Sequence, residues 1–221
     1  MIRAIFFDID GTLLNPKTNR IPSSTLRALH LLKRREIKLF VATGRPKSMV
    51  TFLDEYFPFD GFVTLNGQYC FTRKGDILHK TAIPKQDMRQ LLEIQKKTPF
   101  PCLLIEAEES FMVNYQRQIA EHFALQGLPV PKVYNAARLE TNEIYQFLTY
   151  NPTQYASLLA PLKGIEITSA SPFCFDVIPK GGGKEVGIAA TAEHFGLNRE
   201  EVMVFGDRSE ERRVGKGGSS R

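Results

Sequence analysis

The stretch AIFFDIDGTLL, residues 4–14, decides the fold. Ile5, Phe6 and Phe7 form a short apolar run of the kind that fills a buried strand. The run passes directly into Asp8 and Asp10, one residue apart, and then breaks at Gly11-Thr12. A carboxylate withdrawn from water without a partner is costly. Two of them at the end of such a strand require something to compensate both.

Outward from this stretch, residues 2–9 read as a first strand. Residues 22–35 carry Leu26, Leu29 and Leu32 at helical spacing, with Ser23 or Ser24 placed to cap the start. IKLFVATG (37–44) is a second buried strand ending in Thr43-Gly44. Residues 45–57 read as a helix that opens at Pro46, and GFVTLNG (61–67) as a third strand. Apolar strands alternating with helices predict an α/β fold, a parallel sheet covered on both faces.

The pattern changes near residue 82. Residues 84–98 read as a helix, 101–115 as paired strands, 116–127 as a helix, 143–151 as a strand, 152–164 as a helix and 165–179 as two short strands. This is an inserted α+β domain with a largely antiparallel sheet. From Gly183 the first pattern resumes, with a helix over 184–196 and a buried strand over 201–207 that again ends on an acidic residue, Asp207. Asn198 and Glu201 have the spacing of a capping pair. The domains expected are therefore 1–82 with 180–207, an insertion over 83–179, and a polar tail over 208–221.

The bulk properties exclude several classes. With 43% hydrophobic and 24% charged residues in 221, the chain has the balance of a soluble globular protein. No apolar run approaches the ~20 residues of a membrane span. The N-terminus, which meets Asp8 after a very short apolar run, is not expected to act as a signal peptide. Cys70, Cys102 and Cys174 are odd in number and widely spaced, as expected of reduced thiols in the cytoplasm. Residues 208–221 carry +3 of the net charge of +5, so the body is close to neutral and nucleic acid is not an expected partner. His30, His79, His122 and His194 lack metal-ligand spacing.

Ligands of open α/β sheets bind at the carboxyl ends of the strands. Asp8 and Asp10, Thr43 and Gly44, Asn66 and Gly67, and Asp207 all fall at such ends, and Lys184 opens the helix before the last strand. Carboxylates converging on one rim call for a cation, and hard oxygen donors with room for water fit Mg²⁺. A hydroxyl, an amide and an ammonium aimed at one point suit a phosphate. Set against this, Asn66-Gly67 reads equally well as a plain turn, Lys180 as a surface residue, and Phe111, Tyr115, Phe147 and Tyr150 as core of the insertion.

DIDGTLL (8–14), VATGR (41–45), PKGGGKEVGI (179–188) and VMVFGD (202–207), in this order, resemble the four motifs of the haloacid dehalogenase-like (HAD) phosphohydrolases. The large insertion and TLNG (64–67) resemble the Cof-like phosphatase subgroup. The resemblance implies a Rossmann-like core with an inserted cap domain, and a Mg²⁺-dependent phosphatase of small phosphorylated metabolites such as sugar phosphates or nucleotide-type cofactors. It implies that Asp8 is the nucleophile, forming an aspartyl-phosphate, and that Asp10 is the general acid and base. Gly11, Thr43, Gly44, Asn66 and Lys184 would bind phosphate. Asp8, the Asp10 carbonyl, Asp207 and Glu211 would hold the metal.

The pattern departs from the family after Asp207. The Asn-Asp pair of the fourth motif is replaced by Glu210 and Glu211, and RRVGKGGSSR (212–221) has no apolar periodicity. The tail is expected to be disordered and foreign to the family pattern. A catalytically impaired phosphate-binding remnant, a phosphomutase of the same family and, more weakly, a receiver-like domain with Asp8 as phospho-acceptor are the rival readings.

Overall fold

The computed structural model describes residues 1–125, 130–150, 152–170 and 174–206. Asp207, Glu211 and the 208–221 tail lie outside the described residues. Two compact units divide the described chain: Met1–Lys80 with the residues from Gly182 on, and Thr81–Gly181.

In the first unit β1 (Ala4–Phe7), β2 (Lys38–Ala42), β3 (Gly61–Thr64), β4 (Tyr69–Thr72), β5 (Ile77–Lys80) and β12 (Val202–Phe205) form one sheet, in the order β12-β1-β2-β3-β4-β5. β12, β1, β2 and β3 run parallel, and β4 and β5 turn back antiparallel. Every residue of β1 is buried, as a central parallel strand requires. On one face Phe6, Phe40 and Val63 pack with Ile188 and Ala192 of α6 (Lys184–His194). On the other, Phe62 meets Phe59 and Phe59 meets Phe57, with ring centroids 6.3 and 5.0 Å apart. Helix α1 (Ser23–Arg34) buries Leu29.

Several local expectations are corrected. Neither Ser23 nor Ser24 caps α1; Pro22 takes the N-cap position and its carbonyl accepts from the Leu26 N–H at 3.0 Å. The helix expected over 45–57 is two 3₁₀ turns, Lys47–Met49 and Thr51–Glu55. Buried Val50 and Leu53 are three residues apart, which suits the tighter winding. The third strand stops at Thr64 because Leu65, Asn66 and Gly67 all take positive φ, at 52°, 53° and 91°. β12 is only half-buried: it ends the sheet among the described residues, and Met203 and Phe205 are 39% and 46% exposed. The capping pair does form, Asn198 and Glu201 making a reciprocal box around the 3₁₀ turn before β12.

The second unit holds β6 (Cys102–Ile105), β7 (Ser110–Val113), β8 (Lys132–Val133), β9 (Gln146–Tyr150), β10 (Ile165–Ala170) and β11 (Cys174–Pro179) in the order β10-β11-β9-β6-β7-β8. All pairs are antiparallel except β7 with β8. Helix α2 (Lys85–Lys97) buries Met88, Leu91 and Leu92 in a core with Phe100, Leu104, Phe111, Phe147 and Val177. The shorter α3 (Arg117–Leu125), α4 (Arg138–Thr141) and α5 (Pro152–Tyr155) complete the unit. The helix expected over 152–164 stops at Tyr155 and continues only as a 3₁₀ turn, Ala156–Leu159. Tyr115 is exposed rather than core, whereas Phe111 and Phe147 are fully buried. No disulfide joins the three cysteines. Among the described residues no helix is long and apolar enough to cross a membrane.

Candidate active site

Because β12, β1, β2 and β3 are parallel, their carboxyl ends share one rim of the sheet. Asp8 follows β1 there. Its backbone N–H donates to the Phe205 carbonyl at 2.9 Å and its own carbonyl accepts from Leu13 N–H at 3.3 Å, so the turn is tied to both β12 and the loop that follows. Gly11 has φ +77°, a conformation that side-chain-bearing residues adopt at a cost.

The Asp8 side chain is buried, and its Oδ1 accepts a hydrogen bond from Lys184 Nζ at 2.9 Å. The pair joins the first strand to the first residue of α6, across 176 positions of sequence. Burial pushes the Asp8 carboxyl above its ordinary range. The Lys184 charge and hydrogen bond pull it back without cancelling that effect, and the nearby Asp10 charge adds to the rise. Lys184 also sits at the amino end of α6, where the helix dipole favours an anion.

Thr43 follows β2 and is almost wholly buried. Its Oγ1 accepts from the Arg45 N–H at 3.2 Å, which leaves the hydroxyl proton to donate. Its carbonyl accepts from the Asn66 N–H at 3.1 Å, and a Cβ at Gly44 would stand 3.0 Å from Asn66 Oδ1. The ends of β2 and β3 are thus held together. The left-handed turn at 65–67 is a strained conformation, costing of order 1–3 kcal/mol per non-glycine residue, and buried Leu65 holds it in place. Gly67 lies so close to α6 that a Cβ there would stand 2.1 Å from the Gly183 carbonyl oxygen; a Cβ at Gly187 would stand 2.7 Å from Gly67 Cα. The backbone of this turn therefore packs directly on the helix that carries Lys184.

Asp10 differs from Asp8: its side chain is exposed, and it is gripped by Arg45, whose Nε and Nη2 donate to Oδ2 and Oδ1 at 3.0 and 2.6 Å. Sequence reasoning did not place Arg45 in the site. Its signal was its position directly after Thr43-Gly44, but its partner lies 35 residues away. Direct contacts therefore link Asp8 with Lys184, Asp10 with Arg45, and Thr43 with Asn66, and Gly44 leaves the room that the Asn66 side chain takes up. Gly11 is joined to the group through the chain, two residues from Ile9 and one from Asp10. Lys180 is exposed, as a surface residue should be.

Of the expected metal ligands, Asp8 and Asp10 lie among the described residues and Asp207 and Glu211 outside them. Among the described residues no three His, Cys, Asp or Glu side chains cluster. The donor chemistry nevertheless fits a hard divalent cation, since Asp8 is a buried carboxylate whose burial Lys184 does not fully offset.

The family profile of haloacid dehalogenase-like hydrolases matches residues 5–210, so the chain belongs to that family. It is an enzyme of the phosphatase class. The chain is 27% identical over 93% of its length to the putative phosphatase YkrA of Bacillus subtilis, covering 79% of that protein. It is 24% identical over 97% of its length to an HMP-PP phosphatase of Shigella flexneri, covering 80% of that protein. Among solved structures, the HAD subclass IIB sugar phosphatase BT4131 superposes with a TM-score of 0.82 at 30% identity, over 96% of this chain and 83% of that one. The phosphatase BT1666 of Bacteroides thetaiotaomicron superposes at 0.85 and 30% identity, over 95% and 79%.

Proposed function

We propose that the chain removes phosphate from small phosphorylated metabolites, sugar phosphates or nucleotide-type cofactors, through an aspartyl-phosphate on Asp8. The observation that carries this reading is the buried Asp8–Lys184 pair at the carboxyl rim of the sheet, with the Thr43 hydroxyl on the neighbouring strand end. The names of the relatives, a sugar phosphatase and HMP-PP phosphatases, support the substrate class. The cysteines, none in a disulfide, accord with work in the cytoplasm.

In the first step an Asp8 carboxylate oxygen forms a bond to phosphorus as the ester bond breaks, and Asp10 gives its proton to the departing oxygen. In the second, water attacks the phosphorus of the aspartyl-phosphate, its proton passes to Asp10, and the bond to Asp8 breaks. Lys184 and Thr43 donate to the phosphoryl oxygens in both steps, with Asn66, Gly44 and Gly11 shaping the backbone around them. Asp8, the Asp10 carbonyl, Asp207 and Glu211 would hold Mg²⁺, which would supply charge screening between nucleophile and phosphate.

Hydrolysis of p-nitrophenyl phosphate with and without Mg²⁺, and after chelation, tests the reading. Wild-type protein should turn over only with the cation, and a phosphoryl adduct on Asp8 should be found by mass spectrometry after acid quench. Full activity in Asp8→Asn would overturn it. Binding of phosphate without turnover would instead favour the impaired remnant.

A further inference from the structure

We infer that Arg45 is the positioning residue of the general acid and base: its guanidinium fixes the direction of the Asp10 carboxylate toward the bound phosphate ester. This rests on the role proposed above for Asp10.

The two carboxylates of the motif differ in support. Asp8 is held by its burial and by Lys184. Asp10 has neither, being exposed on a turn that has already left the strand. Among the described residues, Arg45 is the side chain that holds its carboxylate. A group that shuttles a proton needs its carboxylate fixed to about 0.5 Å and 10–20°. A carboxylate with open rotamers in water does not meet that.

The grip has the geometry the task needs. Nε and Nη2 address one carboxylate oxygen each, the planar fork that defines an orientation as well as a distance. The backbone beneath the fork is also fixed. The Arg45 N–H is bound to the Thr43 hydroxyl at 3.2 Å, and the Arg45 carbonyl accepts from Leu65 N–H at 3.1 Å. Arg45 thus stands between the hydroxyl proposed to bind phosphate and the left-handed turn before Gly67. An exposed ion pair of this kind contributes little to stability, ~0–1 kcal/mol, so stability gives it little reason to occupy both oxygens of the motif carboxylate.

The test separates positioning from a structural role by the leaving group. An alkyl phosphate needs a proton on its departing oxygen; p-nitrophenyl phosphate, which releases a stable phenolate, needs it far less. Because kcat/KM reports the steps up to departure of the alcohol, Arg45→Ala should lower it at least about tenfold more for an alkyl phosphate such as a hexose phosphate than for the aryl ester. Arg45→Lys, which keeps the charge but loses the fork, should recover only part of the loss. In an Asp10→Asn background Arg45→Ala should change neither substrate further, since both act through one carboxylate. Circular dichroism and thermal melts confirm that the variants fold, and if Arg45→Ala does not, Arg45→Lys carries the same comparison of the two esters, equal losses again overturning the inference.

Equal losses for the two esters in Arg45→Ala would overturn the inference, as would additive losses in the double variant. If Asp10→Asn itself shows no preference for the aryl ester, the proposed role of Asp10 fails. If Asp10→Asn shows the preference and Arg45→Ala does not, this inference alone fails.

Discussion

The rim of the first unit and the core of the second both bury polar groups, but they compensate them differently. In the second unit Gln95, Cys102 and Thr149 close a circuit of their own. Gln95 Nε2 meets Cys102 Sγ at 3.2 Å, Cys102 Sγ lies 3.2 Å from Thr149 Oγ1, and Gln95 Oε1 accepts from Phe100 N–H at 3.2 Å. Asp87 likewise accepts from the N–H groups of Lys163 and Gly164 at 2.9 and 3.0 Å. Among the described residues, these buried groups of the second unit find their partners within it. At the rim, Asp8 stays above its ordinary carboxyl range despite Lys184, and the Thr43 hydroxyl keeps a proton to give. Buried polar groups that satisfy one another serve packing; Asp8, left short of compensation, is where the proposed chemistry falls.

Substitutions should sort by this difference. Lys184→Met removes the cation that faces Asp8 and is proposed to bind the phosphoryl group, and kcat/KM for phosphate esters should fall about 10²–10³-fold. Steady-state kinetics measure this; a loss below tenfold would place the rim on a level with ordinary surface. In the second unit Phe147→Ala opens a cavity in the sheet core and should cost about 3–5 kcal/mol of stability, read from urea denaturation. Gly67→Ala belongs to both categories. It forces a Cβ against the Gly183 carbonyl at φ +91° and should cost about 1–3 kcal/mol while also lowering turnover. If turnover stayed at the wild-type level while stability fell, the turn would be scaffold alone.

The smallest effect concerns the thiols. Burial pushes Cys70 and Cys102 up to about 12 from 9.0. An unfolded thiol ionises from about pH 9, so the unfolded chain binds fewer protons than the native one between 9 and 12. The contribution of these thiols is fully present below pH 9 and is lost as pH rises toward 12. At pH 8 native protein should be alkylated at half-buried Cys174 before Cys70 or Cys102, and unfolding in urea should make the three equal. Rapid native labelling of Cys102 would contradict the closed circuit it belongs to.

The alternation of buried strands and helices in the first unit was legible because apolar runs such as IFF and LFVA are short, β-rich and followed at once by polar residues. The strand ends were legible for the same reason: Asp8 and Thr43 interrupt runs that otherwise stay apolar. The hairpin of β4 and β5 escaped notice, since Arg73 to Asp76 is a charged turn built on Gly75 at φ +94°, and β5 is largely exposed, with little apolar contrast. The left-handed Leu65 carries no sequence signal either, because leucine does not favour that conformation and only tertiary packing imposes it. Arg45 was invisible as a partner of Asp10 because a long side chain can reach many targets, and spacing does not say which.

The contact of Gly67 with Gly183 and Gly187 has a practical corollary for anyone altering this protein. Where two stretches of main chain touch without side chains between them, their separation is set by the van der Waals contact of backbone atoms and not by rotamers that heat can populate. Warming should therefore disturb the spacing of Asn66 and Lys184 less than the long-armed grip of Arg45 on Asp10. Directed libraries that leave positions 67, 183 and 187 untouched keep that spacer, and variation elsewhere around the rim then acts on a frame of constant width.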